Sequence, residues 1–216
     1  MSAIFDWEGR LVDHLASVTS AARPTAMTDD GRKLRTAAVL IALSHEEDPE
    51  LITVRRSATL RSHPGQIALP GGSIEAGENA IDAALREADE EVDLKAERVR
   101  VLGHLADHRT GGSDFAVTPV IGTFTDVGEL YAKDTIEVAS VHRVQISHLA
   151  DPDNRATATL MHGYKGPAFL VDDLFIWGFT AHVLDELLEI GGWAQPWDDK
   201  KRVDVPMEFF RPDTRT

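Results

Sequence analysis

Apolar residues along the chain form several short runs and clear helical stripes, separated by polar and glycine-rich segments. Residues 36–43 and 51–54 are apolar except for one threonine each and lie on either side of a charged turn, which predicts two buried strands. Over residues 80–92 the apolar positions recur every three or four residues, which predicts an amphipathic helix with Asn79 as its N-cap. The same spacing predicts another helix over 180–190.

The remaining pattern predicts further strands over 98–104, 115–123, 137–144 and 174–177. Because these elements do not alternate regularly, they favour a mixed sheet with helices on its faces, an α+β arrangement, over a parallel βαβ fold. The interpretation divides the chain into a core domain, 34–192, with an N-terminal helix and arm, 1–33, and a C-terminal tail, 193–216. We expect the N-terminal helix to be peripheral and the tail to be an arm or a disordered end.

Composition removes several classes of function. The 216 residues include no cysteine, which excludes disulfides, thiolate nucleophiles and cysteine-ligated metal centres. The longest apolar run, 37–43, is far shorter than the roughly 20 residues of a membrane helix, and no signal peptide is recognised, so we predict a cytoplasmic protein without a membrane partner. A net charge of −14 disfavours nucleic acid as a partner, and an anionic substrate would need local cations. A homodimer is left open.

Charge is segregated around the predicted helix over 80–92. Residues 51–74 contain three arginines and no acid, whereas residues 75–95 contain eight acids. Glu87, Glu90 and Glu91 are spaced i, i+3 and i+4, so they share one helix face, where like charges repel unless a cation neutralises them. An ordinary solvated acidic face would explain the helix alone. A basic, glycine-rich loop leading directly into it favours a metal-assisted phosphate site.

The segment from Gly72 to Leu94 resembles the Nudix box. That pattern reads glycine, five residues, glutamate, seven residues, Arg-Glu, two residues and Glu-Glu, and its positions here are Gly72, Glu78, Arg86, Glu87, Glu90 and Glu91. One departure is Asp93, which stands where the family has glycine. Aspartate tolerates the left-handed conformation better than most residues, so we expect the helix end to be preserved.

A second segment, from Arg56 to Gly72, is similar to the additional motif of coenzyme A pyrophosphatases within the Nudix superfamily. Val54 and Leu69 replace the threonine and phenylalanine usual in that motif. With downstream similarities, the likeness extends from about residue 35 to residue 188. It implies the Nudix fold, a mixed sheet sandwiched between helices, and hydrolysis of a nucleoside diphosphate linked to another group.

The resemblance also implies roles for individual residues. It assigns metal binding, with Mg²⁺ or Mn²⁺ as the cofactor, to Glu87, Glu90, Glu91 and the main-chain carbonyl of Gly72. Glu87 or Glu90 would take a proton, Arg86 would orient the glutamates, and Glu78 would be structural. Substrate binding falls to Arg56, Arg61, His63 and Gly71, with His63 equally open to a structural role. Glu137 is either an extra catalytic or metal-binding acid or an ordinary glutamate at a strand edge.

The predicted activity is divalent-metal-dependent cleavage of the pyrophosphate bond of coenzyme A or acyl-coenzyme A. The products would be adenosine 3′,5′-bisphosphate and phosphopantetheine or its acyl derivative. Two alternatives remain open: a general nucleoside-diphosphate pyrophosphatase, acting for example on ADP-ribose, and a catalytically silent module that senses a ligand. The complete set of Glu87, Glu90 and Glu91 argues against the silent module, because a sensor has no need of it.

Overall fold

The computed structural model describes residues 5–19, 34–109, 115–160 and 163–210. The α-helices in these ranges are α1 (Asp6–Thr19), α2 (Ala80–Val92), α3 (Ile146–Ala150) and α4 (Gly178–Gly191). The strands are β1 (Arg35–Ser44), β2 (Glu50–Arg56), β3 (Ile67–Ala68), β4 (Gly71–Ser73), β5 (Arg100–His104), β6 (His108–Arg109), β7 (Phe115–Phe124), β8 (Val138–Gln145), β9 (Arg155–Thr159), β10 (Lys165–Val171), β11 (Leu174–Ile176) and β12 (Arg202–Asp204). All the strands and helices predicted from the sequence are found, within a few residues of their expected ends.

The larger sheet is mixed, as predicted. Its strands are ordered β3-β2-β1-β7-β5, with β4 added to β1, β6 to β7 and β8 to β2. Strands β1 and β7 run parallel, whereas the other pairs are antiparallel. Most residues of β1 and β7 are buried, which explains why their sequences are apolar runs rather than alternating patterns.

Helices cover both faces of this sheet, which confirms the predicted α+β sandwich. On one face, α2 packs its alanines and Val92 against apolar side chains of β1 and β2. On the other face, α1 and α4 share a second cluster, in which Leu11 and Leu187 are fully buried. The expectation that the N-terminal helix is peripheral is therefore wrong, because its apolar stripe is part of the core.

A second sheet, ordered β11-β10-β9-β12, was not predicted. Its last strand, β12, lies in the predicted tail and pairs in parallel with β9. The ring of Trp193, at the start of the tail, packs on Trp7 of α1 with centroids 5.5 Å apart. The expectation of an arm or disordered end is thus wrong for residues 193–210, whereas residues 20–33 and 211–216 lie outside the described ranges. The domain boundaries themselves stay predictions.

None of the helices in the described ranges combines the length and the apolar character that crossing a membrane requires.

Candidate active site

Helix α2 begins and ends where the sequence predicts. The side chain of Asn79 accepts hydrogen bonds from the main-chain N–H groups of Ile81 and Asp82, at 2.9 and 3.0 Å. At the other end Asp93 adopts the left-handed conformation with φ of 61°, so aspartate does serve where the family pattern has glycine. These two caps fix the ends of the helix, and the packing of its apolar stripe against β1 and β2 sets the direction in which its glutamates point.

Glu91 is the buried member of the acidic face, with only 4% of its surface exposed. Its Oε2 accepts a hydrogen bond from the main-chain N–H of Gly71 at 3.1 Å, which ties the helix to Gly71 and Gly72, called here the glycine turn. Burial raises the pKa of Glu91 to about 8. Gly71 and Arg56 oppose that increase, whereas the neighbouring charges of Glu87 and Glu137 add to it.

Glu87 lies against the second glycine of the turn. Gly72 is in β4, paired with Ala38 of β1, and a Cβ at Gly72 would collide with the carboxylate of Glu87. A side chain at Gly72 would therefore displace the carboxylate of Glu87 from its present position. Burial raises the pKa of Glu87, with Arg86 opposing the increase and Glu90 contributing to it.

Arg86 donates hydrogen bonds to three glutamates of the site. Its Nε and Nη2 donate to the two carboxylate oxygens of Glu78, at 3.0 and 3.1 Å. Its Nη1 donates to Glu87 at 2.9 Å and to Glu90 at 3.2 Å, and its Nη2 also donates to the carbonyl of Ser73 at 3.1 Å. The pair of hydrogen bonds between Arg86 and Glu78 raises the pKa of the arginine and lowers the pKa of the glutamate. This pairing supports an orienting role for Arg86 and a structural role for Glu78.

Arg56 and Glu137 border the same carboxylates. Their side-chain nitrogen and oxygen are 4.0 Å apart, and the main-chain carbonyl of Glu137 accepts a hydrogen bond from Ser57 N at 2.7 Å. The Nε of Arg56 is buried and has no hydrogen-bond partner among the described residues. Because the charges of Arg56 and Glu137 both act on the pKa of Glu91, the predicted extra acid and first motif arginine lie beside the glutamate face.

Arg61 and His63 are placed differently. Both are exposed in the loop 57–66 between β2 and β3, and His63 has a positive φ of 54°. The loop is closed at its base by a hydrogen bond from Arg56 N to the carbonyl of Gln66, at 2.9 Å. Among the described residues, no hydrogen bond or ion pair joins Arg61 or His63 to the glutamates, so their assignment to substrate stays a prediction.

Lys133 holds a loop against the end of α2, a role that the sequence analysis did not predict. Its main-chain N–H donates to the carbonyl of Glu91 at 2.9 Å, and its Nζ bonds the carboxylate of Asp89 at 2.6 Å. These contacts hold the connection between β7 and β8, which leads into Glu137, against the end of α2. A lysine that lies 42 and 44 residues from its two partners has no local pattern that could have shown these contacts.

The donor chemistry of the site fits a divalent cation. Glu87, Glu90, Glu91 and the carbonyl of Gly72 would hold it with hard oxygen ligands, which Mg²⁺ and Mn²⁺ prefer. The buried charge of Glu91 and the partly buried charge of Glu87 are offset only in part by Arg86 and Arg56, as their raised pKa values show. As the described side chains stand, no three of them converge on one ion, and Arg86 contacts Glu87 and Glu90 instead.

Comparisons with known proteins agree with this arrangement. Residues 33–160 match the model of the NUDIX domain. A protein described as uncharacterized Nudix hydrolase NudL from Photorhabdus laumondii is 35% identical over 175 residues, covering 77% of this chain and 88% of that protein. The NudL of an Enterobacter species is 37% identical over 177 residues, covering 76% and 88%. The crystal structure of a NUDIX hydrolase from Nitrosomonas europaea has a TM-score of 0.50 at 14% identity, covers 81% of each chain and bears on the fold alone.

Proposed function

The chain belongs to the Nudix hydrolase family, and from this premise we propose that it cleaves the pyrophosphate bond of coenzyme A or its thioesters, with Mg²⁺ or Mn²⁺. The products would be adenosine 3′,5′-bisphosphate and phosphopantetheine or its acyl derivative. The observation that carries the proposal is the position of the segment 56–72, which resembles the coenzyme A motif. One end reaches the box through the N–H of Gly71 on Glu91, and at the other end Arg56 lies 4.0 Å from the carboxylate of Glu137, the possible extra acid.

A bound divalent cation would offset the charge of the diphosphate and make water a better nucleophile. The chain's own residues would prepare the site for it. Arg86 donates hydrogen bonds to Glu87 and Glu90 and so orients their carboxylates, and the N–H of Gly71 orients that of Glu91. Glu87 is a better candidate than Glu90 to take the proton of the attacking water, because burial raises its pKa and Glu90 is 58% exposed.

The arginines of the motif suit the anionic groups of the substrate. Arg56, whose guanidinium lies beside the carboxylate of Glu137, would donate a hydrogen bond to an oxygen of the scissile diphosphate. Arg61 stands farther out on the exposed loop 57–66, where it would meet the 3′-phosphate that distinguishes coenzyme A from most other nucleoside diphosphates. His63 would donate a hydrogen bond to a phosphate oxygen from the same loop.

A substrate panel tests the proposal. Coenzyme A, an acyl-coenzyme A, dephospho-coenzyme A and ADP-ribose are incubated with the protein and Mg²⁺ or Mn²⁺, and the products are separated by mass. We expect the highest kcat/KM for coenzyme A or its thioester, and no turnover in excess chelator. A preference for ADP-ribose would replace the substrate assignment with the general pyrophosphatase, and activity in chelator would remove the metal-dependent mechanism.

Arg61→Ala separates recognition of the 3′-phosphate from a general role of the loop. We expect a loss of roughly 1.5–3 kcal/mol in transition-state binding for coenzyme A, the usual contribution of a charge-assisted hydrogen bond, and a smaller loss for dephospho-coenzyme A. Arg98→Ala, which removes an exposed arginine far along the chain, is the matched control. Equal losses for the two substrates would mean that Arg61 does not read the 3′-phosphate.

Small nucleoside diphosphates are the substrates of this family. Location in the cytoplasm and assembly into a homodimer stay predictions from the sequence.

A further inference from the structure

The loop 57–66 rests on the C-terminal part of the chain. The side-chain Nε2 of Gln66 donates to the carbonyl of Phe209 at 3.4 Å. The ring of Phe209 lies beside Gly65, so that a Cβ at Gly65 would stand 3.7 Å from ring carbon Cε1. Just after the loop, the carbonyl of Ile67 accepts a hydrogen bond from the hydroxyl of Thr180 at 3.3 Å. The loop is therefore backed on one side by residues more than a hundred positions away.

Phe209 is itself firmly held. Only 7% of its surface is exposed, and its ring packs on Phe175 of β11 with centroids 6.1 Å apart. Val205 belongs to the same apolar cluster, and its main-chain N–H continues the pairing of β12 by donating to Thr159 of β9 at 3.2 Å. The second sheet thus provides a fixed support, and Phe209 is the part of that support which meets the loop.

The loop also has hydrogen bonds of its own, from Leu60 N to Ser57 O at 3.2 Å and from Gln66 N to His63 O at 3.4 Å, which lie near its two ends. Its closing hydrogen bond, from Arg56 N to Gln66 O, lies at the base. His63 and Gly65 have positive φ values of 54° and 69°, and Arg61 and His63 are exposed. A loop that samples many conformations loses more entropy when it binds a ligand, which weakens binding without changing groups elsewhere.

We propose that Phe209 is a positioning residue for substrate: it holds the loop 57–66 in the conformation that presents Arg61 and His63 to the phosphate groups of a nucleoside diphosphate. The inference rests on the proposed function, since it takes the loop to bind substrate. Phe209 touches neither the glutamates of α2 nor Arg86 in the described contacts. Its effect is therefore on binding and not on the chemical step.

Steady-state kinetics can distinguish an effect on substrate binding from an effect on the chemical step. Phe209→Ala should raise KM for coenzyme A by about five- to tenfold, with kcat changed by less than about twofold, because ordering the loop then falls on the binding step. Met207→Ala is the matched control, since Met207 is in the same turn, is 76% exposed and has no described contact with the loop. A fall in kcat with KM unchanged would overturn the positioning role.

Hydrogen exchange of the full chain without substrate tests the same contact independently of activity. In Phe209→Ala the amides of residues 57–66 should exchange faster, whereas those of β9, β12 and α2 keep their wild-type protection. Phe209→Leu, which refills most of the volume, should show smaller changes in both exchange and KM. If Phe209→Ala loses protection throughout the chain, the contact between Phe209 and the loop is tested with Phe209→Leu alone.

Wild-type exchange of the loop in both variants would overturn the inference. The exchange result needs no knowledge of the substrate. If the protein hydrolyses ADP-ribose rather than coenzyme A, the proposed function fails while the role of Phe209 is still tested, with KM measured for ADP-ribose.

Discussion

Helix α2 carries acids at two places that the structure treats in opposite ways. At its C-terminal end, Asp89 and Asp93 each contact both Lys95 and Lys133, with distances from 2.6 to 3.2 Å. The lysine ammonium groups lower the pKa of both aspartates. These charges are fully matched by cations from the chain, and their effect is to hold the connection between β7 and β8 against the helix.

On the face toward the glycine turn the balance is different. Glu87 and Glu91 are buried or partly buried, and burial raises the pKa of each. Arg86 is shared among several glutamates, and Arg56 is 4.0 Å from its nearest carboxylate, that of Glu137. The number of acids is therefore similar in the two places, and what differs is the charge around them. A surplus of buried negative charge over nearby positive charge is what we expect of a metal site, and of these two places only the face toward the glycine turn has it.

The largest effect should come from Glu91→Gln. The change keeps the shape of the side chain and removes one charge from the face that lacks cations, so activity should fall on the order of 10²-fold or more, as for other losses of charge stabilisation. Folding should be retained, because glutamine resembles the uncharged carboxyl that burial of Glu91 favours and leaves an oxygen for the N–H of Gly71. Steady-state kinetics and a urea unfolding curve measure the two quantities. A nearly normal rate would place the metal elsewhere.

A smaller effect is expected from Arg86→Lys. A lysine cannot reproduce the fork that bonds Glu78 with two nitrogens and still reaches Glu87 and Glu90. We expect kcat to fall about tenfold and the free energy of unfolding to fall by about 1–2 kcal/mol, allowing for partial exposure. If both stay at the wild-type values, positive charge alone suffices there and the geometry of the guanidinium is unimportant.

The smallest effect on catalysis should come from Asp89→Asn. Because this carboxylate is paired with Lys95 and Lys133 and lies away from the glutamate face, we expect activity within about twofold of wild type. The lowered pKa of Asp89 means that its contribution to stability is present above the ordinary aspartate value of about 3.9 and is lost as the pH falls through its folded-state pKa. Unfolding of wild type and variant should therefore differ at neutral pH, less in high salt, and converge in acid. A large loss of activity with normal folding would erase the distinction between the two acid sets.

The box helix was predictable because its determinants are local. The cap at Asn79, the apolar spacing and the tolerance of Asp93 for a left-handed conformation depend on residues within one segment, and all are confirmed. The different environments of Glu90 and Glu91 were not predictable. They are adjacent and chemically identical, and only the approach of Gly71 from another element makes one buried and leaves the other exposed.

The second sheet escaped prediction for a related reason. Its strand β9 begins with Arg155, which a sequence pattern assigns to the surface. In the structure Arg155 is 2% exposed, paired with Asp185 of α4 and stacked on Phe169 and Trp197, with its guanidinium carbon 4.5 and 4.6 Å from the ring centroids. A buried arginine and a strand partner in the tail are both fixed by long-range contacts, which periodicity within one segment does not register.

The central claim is that the unmatched acid face, and not the lysine-paired end of the same helix, holds a divalent cation. Titration of the wild type, Glu91→Gln and Asp89→Asn with Mn²⁺, followed by electron paramagnetic resonance of the free ion, tests it without any substrate. We predict that Glu91→Gln weakens Mn²⁺ binding by about tenfold or more, since even supporting residues of metal sites have effects of that size, while Asp89→Asn binds as the wild type does. Equal affinity in the wild type and Glu91→Gln, or loss of binding in Asp89→Asn alone, would contradict the claim.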